Sequence, residues 1–127
     1  LFRSQVAVLL VSRDLGVVAH YCRQVAVMYS GRIIEQASVS TFFRQPIHPY
    51  SNLLLRAATA ARDRGQAETR ATTAPLPPAV HGCAYAGRCA VVQPACRETA
   101  PALEVQDADH LVRCLRRQEL ARGEVAA

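Results

Sequence analysis

The chain has 127 residues, half of them hydrophobic, and its formal charge of +5 rests on arginine alone, because no lysine occurs. Without lysine it cannot build a G-x-x-x-x-G-K-[ST] phosphate loop, whose lysine reaches the terminal phosphates. Its longest apolar run, Val6 to Val11, is far short of the ~20 residues of a membrane-spanning helix, and its arginines are scattered, with no basic face for nucleic acid.

Val6-Ala7-Val8-Leu9-Leu10-Val11 is an unalternating apolar run of strand length, the pattern of a parallel strand buried on both faces. Ser12-Arg13-Asp14 follows as a turn, and Leu15, Val18, Ala19 and Cys22 then fall at helical spacing, with Ser12 or Asp14 as the cap. Ligands of open α/β sheets bind beyond the carboxyl ends of strands, which makes Arg13 a candidate site residue. Cys22, on the apolar stripe, reads as a small buried hydrophobe.

Residues 25–29 and 32–35 predict a hairpin around Ser30-Gly31, with Gly31 supplying a positive φ. Ser38 is positioned to cap a short helix through Val39, Phe42 and Phe43 that stops before Pro46. His48-Pro49-Tyr50 opens another helix: proline suits the first turn and keeps His48 extended. His48 therefore reads as a helix-entry residue. From Thr59 the composition turns to Ala, Arg, Thr, Gln and Pro, the mark of a linker.

Cys83, Cys89, Cys96 and Cys114 then stand in the spacing C-x5-C-x6-C-x17-C, among glycines and prolines that leave little room for regular structure. Four thiolates in one short segment suit tetrahedral zinc or an iron–sulfur cluster, and the count also suits two disulfides. The wide spacing tilts against zinc knuckles and is not that of a ferredoxin. His81, His110, Arg88 and Arg113 lie near the ligand cysteines and are expected to donate hydrogen bonds to sulfur or backbone. Residues 116–127 are polar and either form a helix or fray.

The stretch from Val8 through Ser12-Arg13-Asp14-Leu15-Gly16 to Arg32-Ile33-Ile34-Glu35 resembles the C-terminal part of the ATP-binding subunit of an ABC transporter. Gln45-Pro46-Ile47-His48-Pro49-Tyr50, the Gly82-Cys83 to Cys89 segment, Cys96-Arg97-Glu98, Pro101-Ala102-Leu103 and His110 to Cys114 resemble the extension of its oligopeptide/dipeptide branch. The fold this resemblance implies is α/β, a C-terminal fragment of an ABC-type ATPase domain with a parallel core strand, helices and a hairpin, plus a small loop-rich four-cysteine extension. The expected divisions are 1–58 for the ATPase part, 59–79 for the linker, 80–115 for the extension and 116–127 for the tail. The opening Leu1-Phe2-Arg3 fits the middle of a longer polypeptide.

The resemblance also implies a function. The complete subunit hydrolyses ATP with Mg and drives peptide uptake, but Walker A, Walker B and signature motifs are absent from this chain, so its own ATPase activity is left open. The family places a histidine against the γ-phosphate at the end of the last core strand; here that position is Arg13, a permanent cation that only donates. Cys83, Cys89, Cys96 and Cys114 are implied as ligands of a [4Fe–4S] cluster, with zinc as the alternative. The implied partners are a second ATP-binding subunit, two membrane-spanning permease subunits and an extracytoplasmic peptide-binding protein, at the cytoplasmic face of the bacterial inner membrane, with no nucleic acid. Relatives of similar sequence carry nickel and other cargo. The rival readings are a truncated remnant without function and an independent four-cysteine metal module.

Overall fold

A computed structural model describes residues 6–63 and 81–125. Helix α1, Leu15–Tyr21, begins at Asp14, whose Oδ1 accepts from the backbone N–H of Gly16 at 2.8 Å and of Val17 at 3.2 Å, satisfying two donors the helix leaves unpaired. Strands β1, Gln24–Tyr29, and β2, Arg32–Ser38, form the expected hairpin. Ser30 (φ 46°) and Gly31 (φ 75°) both occupy the left-handed region, as a two-residue turn matched to strand twist requires. Helix α2, Val39–Arg44, is capped by Ser38, and helix α3 runs Pro49–Asp63, five residues into the segment read as linker. Residues 64–79 of that segment lie outside the described residues.

The cysteine segment carries more regular structure than its glycines and prolines suggest. A 3-10 turn, Ala86–Arg88, and helix α4, Pro94–Glu98, are followed by strands β3, Glu104–Asp107, and β4, His110–Val112, and by helix α5, Arg117–Ala121. The strand order β1-β2-β4-β3 makes one antiparallel sheet. β4 pairs with β2 through Glu35 opposite Val112 and Gln36 opposite Leu111, so the sheet joins the hairpin to the cysteine segment across 75 residues of chain.

The expected parallel strand is corrected. Residues 6–11 have no regular structure, and Leu9 is 91% exposed and Val11 89%. A parallel strand is held by neighbours on its edges, and among the described residues no strand runs parallel to another. The apolar core lies instead against the hairpin, where Val27, Ile34, Ala37 and Phe42 are buried with Tyr50, Leu54 and Leu55 packed on them. A bulge interrupts the β1–β2 register, which passes from Val27–Glu35 to Met28–Ile33 and leaves Ile34 as the extra residue. Bulges re-aim side chains, and here two successive residues, Ile34 and Glu35, are both buried.

Candidate metal centre

Buried Glu35, which the sequence presents only as the end of a hairpin strand, organises the approach to the cysteines. Its Oε1 accepts from the Ile47 backbone N–H at 2.7 Å, and its Oε2 accepts from that of His48 at 3.0 Å. His110 Nε2 donates to the same Oε1 at 2.7 Å. A fully buried carboxylate persists only when such donors replace its water, and these come from the entry to α3 and from β4. Glu35 thus binds the His-Pro-Tyr turn and the cysteine segment to one strand.

His48 is 1% exposed. The backbone N–H of Tyr50 donates to its Nδ1 at 3.1 Å, which makes the ring the cap of α3 and places the ring proton of the neutral form on Nε2. Burial pulls its pKa down to about 4 against a smaller upward pull from the Glu35 carboxylate, so the ring is neutral at ordinary pH. The helix-entry role expected of His48 is what the geometry provides.

Cys83, Cys89, Cys96 and Cys114 line one small cavity of about 20 Å³, together with His48, Tyr85 and Arg116. The 3-10 turn and α4 bring the first three into place: the Cys83 N–H donates to the Cys96 carbonyl at 2.8 Å, and the Ala86 N–H to the Cys83 carbonyl at 3.0 Å. Gly82 permits that approach, since a Cβ there would sit 2.5 Å from the Arg97 carbonyl oxygen. Cys114 arrives from the end of β4. The neighbouring Arg113 holds this end, its Nε donating to the Ile33 carbonyl at 2.7 Å and its Nη1 to the Pro101 carbonyl at 3.0 Å.

All four cysteines are free thiols. Burial pushes Cys114 up to about 11 and raises Cys83 and Cys89 as well. Backbone N–H groups pull the other way, those of Tyr85 and Ala86 at Cys83, of Val91 at Cys89 and of Arg116 at Cys114. Among the described residues no three His, Cys, Asp or Glu side chains are grouped closely enough to hold one metal ion. The four thiols share the lining of one cavity.

The other candidates fall elsewhere. Arg13 is exposed in the segment before α1 and is not on the cavity wall. His81 is exposed, and His110 serves Glu35. Cys22 is half-buried at the end of α1. Tyr85, on the cavity wall, packs against two further tyrosines, with ring centroids 5.1 Å from Tyr29 and 5.5 Å from Tyr50, edge-on and tilted respectively. Sequence spacing does not signal this cluster, because its members come from β1, α3 and the cysteine segment.

Residues 34–96 match the family described as oligopeptide/dipeptide transporter, C-terminal region. The chain carries that C-terminal region. The match runs from the strand holding Glu35, through the His-Pro-Tyr turn, to the third cavity cysteine. A probable peptide ABC transporter ATP-binding protein of Sinorhizobium fredii is 38% identical over 121 residues, 93% of this chain and 36% of the relative. A putative peptide import ATP-binding protein of Brucella ovis is 39% identical, covering 93% of this chain and 37% of its own. The dipeptide transport ATP-binding protein DppF of Haemophilus influenzae is 36% identical, covering 82% and 33%. The chain thus spans about a third of the length of these relatives. The likeness drawn from the His-Pro-Tyr and cysteine segments is to this family, and no described helix of its C-terminal region is long and apolar enough to cross a membrane.

Proposed function

We propose that this chain is the C-terminal portion of the ATP-binding subunit of a bacterial peptide importer, and that Cys83, Cys89, Cys96 and Cys114 hold a [4Fe–4S] cluster within it. The transport reading is supported by relatives named for peptide and dipeptide import that align along nearly the whole chain. In the complete subunit, ATP hydrolysis with a second ATP-binding subunit would drive oligopeptides or dipeptides through two permease subunits, delivered by an extracytoplasmic binding protein. The subunit would lie peripherally on the cytoplasmic face of the membrane. Arg13, in place of a proton-exchanging imidazole, would keep a charge for phosphate there while only donating hydrogen bonds.

One observation carries the metal reading: Cys83, Cys89, Cys96 and Cys114, all free thiols, line one small cavity. A zinc ion with Zn–S bonds of 2.3 Å would draw its sulfurs to about 3.8 Å from one another. A cluster with one thiolate per iron spreads its ligands around a larger body. The N–H groups aimed at the sulfurs of Cys83, Cys89 and Cys114 are the hydrogen bonds that cluster sulfur accepts. Bound there, the cluster would supply a covalent tie between the loop, α4 and β4. Because burial raises Cys83, Cys89 and Cys114 and so favours their thiol forms, loading must release protons.

Anaerobic purification with iron, zinc and acid-labile sulfide analysis tests this. Brown protein with about four irons and four sulfides per chain is expected, and Cys→Ser at any of the four positions should abolish it. One zinc per chain, or full metal retention in all four single mutants, would overturn the cluster. Peptide uptake unaffected by deletion of the gene in its source organism would overturn the importer.

A further inference from the structure

Arg116 stands on the wall of the cysteine cavity. It follows Cys114 by two residues, and its backbone N–H bonds to the Cys114 sulfur. Its side chain is 13% exposed, and its guanidinium is pinned at two points. Nη1 donates to the Val91 carbonyl at 2.9 Å, in the loop after Cys89, and Nε donates to Glu119 Oε2 at 2.8 Å. Its charge is felt at Cys89, Cys96 and Cys114. Arg32, which acts on Cys83, is exposed and so screened by water. Among the described residues, Arg116 is the arginine that lines the cavity.

Four ligating thiolates make this pocket strongly negative in surroundings that solvate charge poorly. A guanidinium answers that need well, since it never loses its proton and is less hydrated than an ammonium. Glu119 offsets part of its charge, but its side chain is 41% exposed. The pocket therefore faces a cation whose charge is offset only in part, by a half-exposed carboxylate that accepts from both Nε and Nη2.

We propose that Arg116 is the counter-charge of the four-cysteine site, setting the potential at which a bound iron–sulfur cluster accepts an electron, with Glu119 setting how much of that charge the site feels. This rests on the cluster reading above. One-electron reduction by dithionite adds one negative charge to the pocket and no proton, so a fixed cation beside the sulfurs favours the reduced form. Removing the cation lowers the potential, and unmasking it raises the potential.

The test is a dithionite titration of the anaerobically purified 127-residue chain, followed by visible absorption and electron paramagnetic resonance. Arg116→Gln should reduce the ratio of reduced to oxidised cluster at least tenfold at the wild-type midpoint, about 59 mV for a one-electron couple. Arg116→Lys should restore most of this. Glu119→Gln, which keeps a hydrogen-bond acceptor for Arg116, should move the midpoint the opposite way. A role in packing alone would not give shifts of opposite sign. If Arg116→Gln does not hold the cluster, Glu119→Gln decides: an upward shift supports the proposal and an unmoved midpoint overturns it. Loaded wild type with unmoved midpoints in both variants overturns the role of Arg116 alone. Wild type without iron and sulfide overturns the cluster reading as well.

Discussion

Glu35 makes the most consequential contacts of any single residue. Its two oxygens take donors from Ile47, His48 and His110, and it is wholly buried. Glu35→Gln keeps the shape but turns an NH2 group toward donors that need an acceptor. Breaking a buried charge-assisted set costs about 3 kcal/mol; urea denaturation should show a loss of that order, with Glu35→Asp also destabilising because the shorter arm misses its donors. His48 adds a pH dependence. Its folded pKa is near 4 against 6.5 for an ordinary imidazole, so between those values the unfolded chain binds a proton that the folded chain refuses. Its contribution is whole above about pH 6.5 and is lost as pH falls toward 4, on the order of 3 kcal/mol over that window. Denaturation midpoints across pH 4 to 7 should follow that curve, and His48→Gln should flatten it.

At the scale of elements, the short strand β4 carries the union between the hairpin and the cysteine segment. Arg113 holds it from outside the ladder, bonding the Ile33 and Pro101 carbonyls, while its own N–H donates to the Ile34 carbonyl at 2.8 Å. Arg113→Leu keeps the backbone bond and leaves the two carbonyls unpartnered. A loss of about 2 kcal/mol is expected, with faster hydrogen exchange at Arg113 and Leu111 and reduced metal retention through misplacement of Cys114. Unchanged exchange there would show that the strand holds without its side-chain clamp. The elements legible in the sequence are those whose signals are local: the Asp14 and Ser38 caps, the Ser30-Gly31 turn, and the His-Pro entry to α3. The β3–β4 hairpin was not legible. β4 has three residues, too few for alternation to register, and its pairing partner lies in β2. The four cysteines were legible by their spacing, whereas Glu35, Arg116 and the tyrosine cluster act through contacts that no local pattern encodes.

For the molecule as a whole, the segment that reads most clearly as core is the part lying outside it. Val6, Val8, Leu9 and Val11 are between 66% and 91% exposed, while the buried core sits between the hairpin and the helices that follow. The run has the composition of a strand covered on both faces, and burial depends on neighbours as much as on composition. Leu9→Lys should therefore leave the stability of this 127-residue chain within about 0.5 kcal/mol, the range of ordinary surface changes. It should also raise solubility, because a charge in an exposed apolar run discourages pairing between chains. In a polypeptide long enough to supply parallel strands on either side, the same lysine would enter a packed interior and cost several kcal/mol. Paired denaturation of the short and long forms separates the cases. A large loss in the short chain would mean that the run is buried there, and indifference in both would mean that it is not a core strand in either.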